Sequence, residues 1–160
     1  MKYKIVDVDY KTDKDFEIMF KKYFEKDLEI KLTEEKFQEV FSQIYKGTKK
    51  RGFWLMILYI DEKPAGFINF QVDNPSSDWN EKEGWGFIRE LYIVDEFRGN
   101  DYGALLVDYA KNRFKLAGPK SMYLTSEKNN KFWLDYGFEE TDEIAKNDLY
   151  VYKKDVRSIR

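Results

Sequence analysis

Glu90-Leu91-Tyr92-Ile93-Val94-Asp95-Glu96-Phe97-Arg98-Gly99-Asn100-Asp101-Tyr102-Gly103-Ala104-Leu105-Leu106 passes from an alternating apolar segment, through a glycine-bearing turn, into a helical pattern. The strand reading runs from Trp85 to Val94. The helix reading rests on Leu105, Leu106, Tyr109, Ala110, Phe114 and Ala117, which share one face, and on Gly118-Pro119, which stops it. A strand feeding a helix in this way binds phosphate well, because the first N–H groups of the helix have no internal partner and the macrodipole favours an anion there. Gly99 and Gly103 keep side chains away from such an anion, and Arg98 adds a fixed positive charge. The competing reading is an ordinary strand-to-helix turn with Asp101 as N-cap and Arg98 solvated.

Working outward, Lys4 to Val8 reads as a strand. Thr12 or Asp13 then caps a helix with Phe16, Met19, Phe20, Tyr23 and Phe24 at helical spacing. Thr33 caps a second helix, whose stripe is Phe37, Val40, Phe41, Ile44 and Tyr45. Phe53 to Ile60 is continuously apolar and short, which fits a strand covered on both faces. After the turn Asp61-Glu62-Lys63-Pro64, alternation from Ala65 to Val72 predicts its hairpin partner, and Asp73 to Glu83 reads as a long polar loop. Met122 to Thr125 is a strand, Asn129 to Tyr136 a short helix closed by Gly137, and two strands flank the loop Asp142 to Asn147. The order βααβββαβαββ is an α+β pattern without regular βα alternation, and one domain over residues 1–160 is expected.

Composition narrows the chemistry. The 160 residues include no histidine and no cysteine, which removes thiol nucleophiles, Ser-His-Asp triads and thiolate zinc sites, and no metal is expected. Catalysis would have to run on carboxylates, tyrosines, lysines, backbone amides or a cofactor. With 28 basic and 30 acidic residues the chain lacks the positive excess of nucleic-acid binders. No apolar run approaches the roughly 20 residues that span a bilayer, and no apolar leader follows Met1. Neither nucleic acid nor membrane is expected as a partner, and the cytoplasm is the expected location.

The quoted stretch resembles the acyl-CoA motif of the GNAT superfamily of N-acetyltransferases, in which a Leu-Tyr-Val strand precedes Arg-Gly-x-Gly-x-Gly. Phe132-Trp133-Leu134-Asp135-Tyr136-Gly137-Phe138 resembles the family's short helix, usually Phe-Tyr-x-x-x-Gly-Phe. The resemblance covers residues 53 to 155 by motif. It implies the GNAT fold, a mixed, mostly antiparallel twisted sheet of about six to seven strands flanked by about four helices. It also implies acetyl-CoA as cosubstrate: pantetheine adds beside the fourth strand through backbone groups of Leu91, Tyr92 and Ile93, and Arg98, Gly99, Asn100, Asp101, Tyr102, Gly103 and Ala104 hold the pyrophosphate. Ser126, Asn129 and Trp133 fall at further cofactor-contact positions.

Asp101 stands where the family usually has glycine, and Ser126 and Asn129 where asparagine and alanine are common. Trp133 replaces the tyrosine that often protonates the CoA thiolate, and an indole N–H is no usable acid. A thiolate is a good leaving group, able to take its proton from water or from Tyr136. Glu90 is the candidate general base, flanked on its strand face by Ile88, Tyr92 and Val94; the alternative is an ion pair with a neighbouring basic residue. The acidic stretches Glu25-Lys26-Asp27-Leu28-Glu29 and Asp78, Glu81, Glu83 favour an amine-bearing small molecule or peptide, with Trp79 and Trp85 as candidate walls. A GNAT-fold module that binds CoA without turnover is the second reading, kept open by Asp101 and Trp133. A homodimer is left open.

Overall fold

The computed structural model describes residues 2–158, so Met1 and the last two positions of the expected domain lie outside the described residues. The elements are β1 (Tyr3–Asp7), α1 (Asp13–Lys22), α2 (Glu34–Gly47), β2 (Phe53–Ile60), β3 (Lys63–Val72), β4 (Gly86–Ile93), α3 (Tyr102–Ala117), β5 (Ser121–Ser126), α4 (Lys131–Tyr136), β6 (Glu139–Ile144) and β7 (Tyr150–Asp155). One mixed sheet has the strand order β1-β2-β3-β4-β5-β7-β6. β5 runs parallel to β4, with Gly86 opposite Met122 and Phe87 opposite Tyr123, whereas the β1–β2, β5–β7 and β6–β7 pairs are antiparallel. Among the described residues no helix is long and apolar enough to cross a membrane.

Two short elements were not expected from the sequence. A π-helical turn, Tyr23–Asp27, continues α1, and a 3-10 turn, Asp95–Phe97, follows β4. The first is marked by the Leu28 N–H donating to the Tyr23 carbonyl, five residues back. Such turns insert one residue into a helix and recur at functional sites.

The chain divides into two compact units, one made of the residues up to Asn69 with Glu90–Leu106, the other of Phe70–Arg89 and the chain from Val107 onward. In the first, α1 and α2 bury an aromatic core: Phe16, Phe20, Tyr23, Phe37, Phe67 and Tyr92 are all buried, with Leu55, Ile57 and Tyr59 of β2 among them. Thr33 caps α2 as expected, its Oγ1 accepting the Lys36 N–H at 3.1 Å. Thr12 stands at the N-cap position of α1 without capping it; its hydroxyl accepts the Asp9 N–H and donates to the Asp7 carbonyl instead. β3 is buried on both faces, so its polar Asn69 needs a partner, and Nδ2 donates to the Trp54 carbonyl at 2.8 Å.

The second unit is organised around a buried carboxylate. Asp73, 1% exposed, accepts from Gln71 Nε2 at 2.8 Å, from the N–H groups of Glu81 and Lys82 at 3.1 and 3.0 Å, and from the Tyr123 hydroxyl. The expected loop after Asp73 is therefore folded back onto its own first residue. Trp79 donates to the Tyr123 hydroxyl at 2.9 Å and stacks on Phe87, while Trp85 meets Tyr123 edge-on. Both tryptophans belong to this packing cluster rather than to a free wall.

Candidate active site

In the first unit Tyr92 and Val94 pack against the aromatic core, and alternation along the strand puts Glu90 on the same face. Glu90 is half-buried, and its Oε2 accepts a hydrogen bond from the Tyr23 hydroxyl. The donor in this contact is a phenol from the π-helical turn. Burial, and then the Glu90 charge, push the Tyr23 phenol far above its ordinary value, so it stays protonated and donates. The Tyr23 ring lies 5.8 Å from that of Tyr92 and 5.6 Å from that of Phe67, which fixes where the hydroxyl points. On the opposite strand face Arg89 pairs with Asp78 at 2.7 Å and donates to Gln71 Oε1 at 2.9 Å.

Leu91, Tyr92 and Ile93 lead to the glycine-bearing turn. The backbone of β3 closes on this stretch, since a Cβ on Gly66 would stand 2.4 Å from the Tyr92 carbonyl oxygen, and the Val94 N–H donates to Ala65. The Ile93 carbonyl already accepts from Arg98 Nε at 2.8 Å. Arg98 is not simply solvated: its guanidinium also pairs with Asp27 at 3.0 Å and Asp95 at 3.3 Å, and lies over the Tyr92 ring. Its charge is thus directed at carboxylates of its own unit.

Beyond it the backbone enters the left-handed region twice before α3 begins. Gly99 has φ +84 with open space where a Cβ would be, so this glycine answers a conformational demand, not crowding. Asp101 has φ +62, a left-handed conformation that favours glycine and that Asp tolerates better than most residues. Its carbonyl accepts the Leu105 N–H at 3.1 Å, opening α3, and the N–H groups of Gly103 and Ala104 come too early in the helix to find a carbonyl one turn back. Asn100 braces the turn, its Nδ2 reaching the carbonyls of Phe97 and Arg98 at 3.2 and 3.3 Å.

The second unit holds the remaining predicted residues. Tyr136 is buried and donates to Asp108 Oδ1 at 2.7 Å. Trp133 packs edge-on against Phe132 and Phe138. Ser126 is buried in the cap of α4: Asn130 accepts the Trp133 N–H at 3.3 Å and donates to Ser126 Oγ at 2.9 Å, and Ser126 donates to Glu127 at 2.8 Å. Asn129, expected inside the helix, precedes it at φ +60, with its N–H on Glu140 at 2.7 Å. Of the acidic groups expected to attract an amine, Asp27 and Asp78 are each paired with arginine, and Glu81 accepts the Lys146 N–H. Tyr23, read only as part of a buried stripe, and Asp108 and Asn130 were not singled out as site residues from the sequence. Only Tyr23 carried a signal, as a hydroxyl inside a stripe of phenylalanines.

The sequence profile of the Acetyltransferase (GNAT) family matches residues 15–138, from α1 through α4. No curated protein matches the chain by sequence. Solved structures share the fold at low identity. The PaiA N-acetyltransferase of Thermoplasma acidophilum, in complex with coenzyme A, is 14% identical with a TM-score of 0.72, over 97% of this chain and 99% of that one. The AAC(6')-Iy structure with a bisubstrate analogue, CoA-S-monomethyl-acetylneamine, is 13% identical at TM-score 0.70, over 91% and 96%. Arabidopsis thaliana Naa50 with the bisubstrate analogue CoA-Ac-MVNAL is 18% identical at 0.63, over 96% and 99%. At such identities these likenesses speak for the fold alone. The profile match takes in Glu90, the turn from Arg98 to Ala104 and the short helix before Gly137, and on it the chain belongs to the GNAT family of acetyltransferases.

Proposed function

We propose that the protein transfers the acetyl group of acetyl-CoA to a primary amine of a small molecule or peptide, by direct attack without a covalent enzyme intermediate. The observation that carries this reading is the Tyr23-held Glu90 carboxylate, placed on the strand that runs directly into the turn from Arg98 to Ala104. The PaiA, AAC(6')-Iy and Naa50 complexes support coenzyme A as the carrier and amines as the acceptors. The left-handed backbone at Gly99 and Asp101 and the start of α3 fit a diphosphate, whereas the Asp101 carboxylate opposes one.

Glu90 accepts the proton of the amine as the nitrogen bonds to the acetyl carbon and the C–S bond breaks. Backbone groups of Leu91, Tyr92 and Ile93 orient the pantetheine arm and polarise the thioester carbonyl, with the Ile93 carbonyl excluded because Arg98 occupies it. N–H groups of the turn from Gly99 to Ala104 hold the pyrophosphate. The thiolate takes its proton from water or from Tyr136, which must first give up its bond to Asp108. Ser126, Asn129 and Trp133 complete the cofactor contacts in this proposal, Trp133 as an apolar wall.

The second reading is a CoA-binding module without turnover. It is favoured by α4, where Trp133 is packed between rings and the Tyr136 proton is directed at Asp108. An amine panel with detection of free CoA thiol separates the two. Turnover that falls by about 10²–10⁴ in Glu90→Gln supports the transferase; thermal stabilisation by acetyl-CoA with no thiol released from any amine supports the module.

A further inference from the structure

We infer that Tyr23 is the positioning residue of Glu90, presenting one carboxylate oxygen to the acceptor amine by holding the other; the inference rests on Glu90 as the base. The contact joins residues far apart in the chain, a helical extension and a sheet strand, within one compact unit. Tyr23 has little freedom to point elsewhere. Its ring is buried, stacked on Phe20 and edge-on to Phe67 and Phe24, and its backbone carbonyl is fixed by the Leu28 N–H that closes the π-helical turn.

The direction of proton transfer follows. Burial, then the Glu90 charge, keep the phenol protonated throughout the range in which an acetyltransferase works, so Tyr23 never takes the amine's proton. It stabilises the ionised carboxylate, and Glu90 alone becomes the acid once the amine has given up its proton. The charged and titratable groups around the pair are Asp27 on the same turn, Tyr92 on Glu90's own strand, and Asp95 and Arg98 beside Tyr92. All remain in Tyr23→Phe, so that variant isolates the hydroxyl.

The test follows the Glu90 carboxyl by carbon NMR in protein labelled at glutamate, with the signal assigned by its loss in Glu90→Gln. Tyr23→Phe is expected to raise the titration midpoint of Glu90 by about one pH unit and to lower kcat about tenfold, with KM for acetyl-CoA unchanged. Added to Glu90→Gln it should cost nothing further in kcat, because Tyr23 acts through Glu90. An unshifted midpoint overturns the inference, as does a double variant slower by the full tenfold, which would make Tyr23 a packing residue only. Should Tyr23→Phe fail to fold, Glu90→Asp withdraws the carboxylate from the hydroxyl with the aromatic core intact; its carboxyl should titrate above the ordinary aspartate range, and an ordinary value overturns the inference. Full turnover in Glu90→Gln instead removes the base reading, and the midpoint shift distinguishes that failure from this one.

Discussion

The Arg98 guanidinium closes on the Asp27 carboxylate, with Nη2 3.0 Å from Oδ2 and 3.3 Å from Oδ1. The first residue of the turn proposed to hold the cofactor is thereby tied to the last residue of the π-helical turn. Both side chains are partly solvated, so the pair stabilises the fold by no more than about 1 kcal/mol. Its effect on the proposed binding is larger in kind: if Arg98 holds the diphosphate as proposed, Asp27 competes with that diphosphate for the guanidinium. Asp27→Asn is expected to tighten acetyl-CoA by about two- to fivefold in titration calorimetry while leaving the melting temperature nearly unchanged. Weaker binding in that variant would mean that the Asp27 pair organises the turn instead of competing with the ligand.

Asp101 bears two costs at one position. Its φ of +62 disfavours a β-carbon, and its carboxylate stands at the turn proposed to hold the diphosphate. Asp101→Gly removes both, at the expense of extra freedom in the unfolded chain. Stability should change by less than about 1 kcal/mol, since glycine at an N-cap loses only a few tenths. Acetyl-CoA should bind about tenfold more tightly at low salt, with the gain shrinking as ionic strength rises. A gain independent of salt would assign the effect to backbone conformation alone.

Removing the Asp73 side chain strands the Tyr123 hydroxyl proton and the N–H groups of Glu81 and Lys82, and leaves Gln71 Nε2 only its bond to the Trp79 carbonyl. Asp73→Ala should lower the unfolding free energy by roughly 3–5 kcal/mol in denaturant titration. Asp73→Asn, which keeps one carbonyl oxygen, should lose less. Equal losses would show that the charge, not the acceptor geometry, holds the loop.

Alkali should unfold the protein through its tyrosines. Burial, then the carboxylates beside them, hold the phenols of Tyr23, Tyr59 and Tyr123 well above the ordinary value of about 10 that the unfolded chain retains. Their contribution is complete below about pH 10 and falls as pH rises, because the unfolded state then releases protons that the folded state keeps. Denaturation midpoints should decline from about pH 10 upward, with phenolate absorbance from these three rings appearing only together with loss of structure. Gradual absorbance in fully folded protein would contradict this.

What could be read from the sequence was whatever depends on pattern within one element. Phe53–Ile60 is recognisable as a covered strand because eight apolar residues in a row suit nothing else so short, and Thr33 before Glu34-Glu35 announces its helix. The element order and the family followed from such local signals. The pairings were hidden because they are relations between distant residues. Helical spacing runs unbroken from Phe16 to Phe24, so nothing announces that the helix widens at Tyr23 or that its hydroxyl meets Glu90. Asp101 was visible as a departure from glycine, yet only the backbone shows that the position demands a left-handed residue. That Ser126 meets Asn130, the residue capping α4, could not be read from their separate positions in the sequence.

The widened turn makes chain length, not residue identity, the variable that links the Tyr23–Glu90 contact to the Asp27–Arg98 pair. An α-helix advances by about 100° per residue. Deleting one residue between Tyr23 and Asp27 would let the helix continue regularly, leaving Tyr23 facing Glu90 but swinging Asp27 away from Arg98. A chain with one residue fewer here would keep the Tyr23–Glu90 contact while Arg98 lost Asp27 and kept Asp95, so on the proposed reading a single codon would set how firmly the guanidinium is held away from a diphosphate.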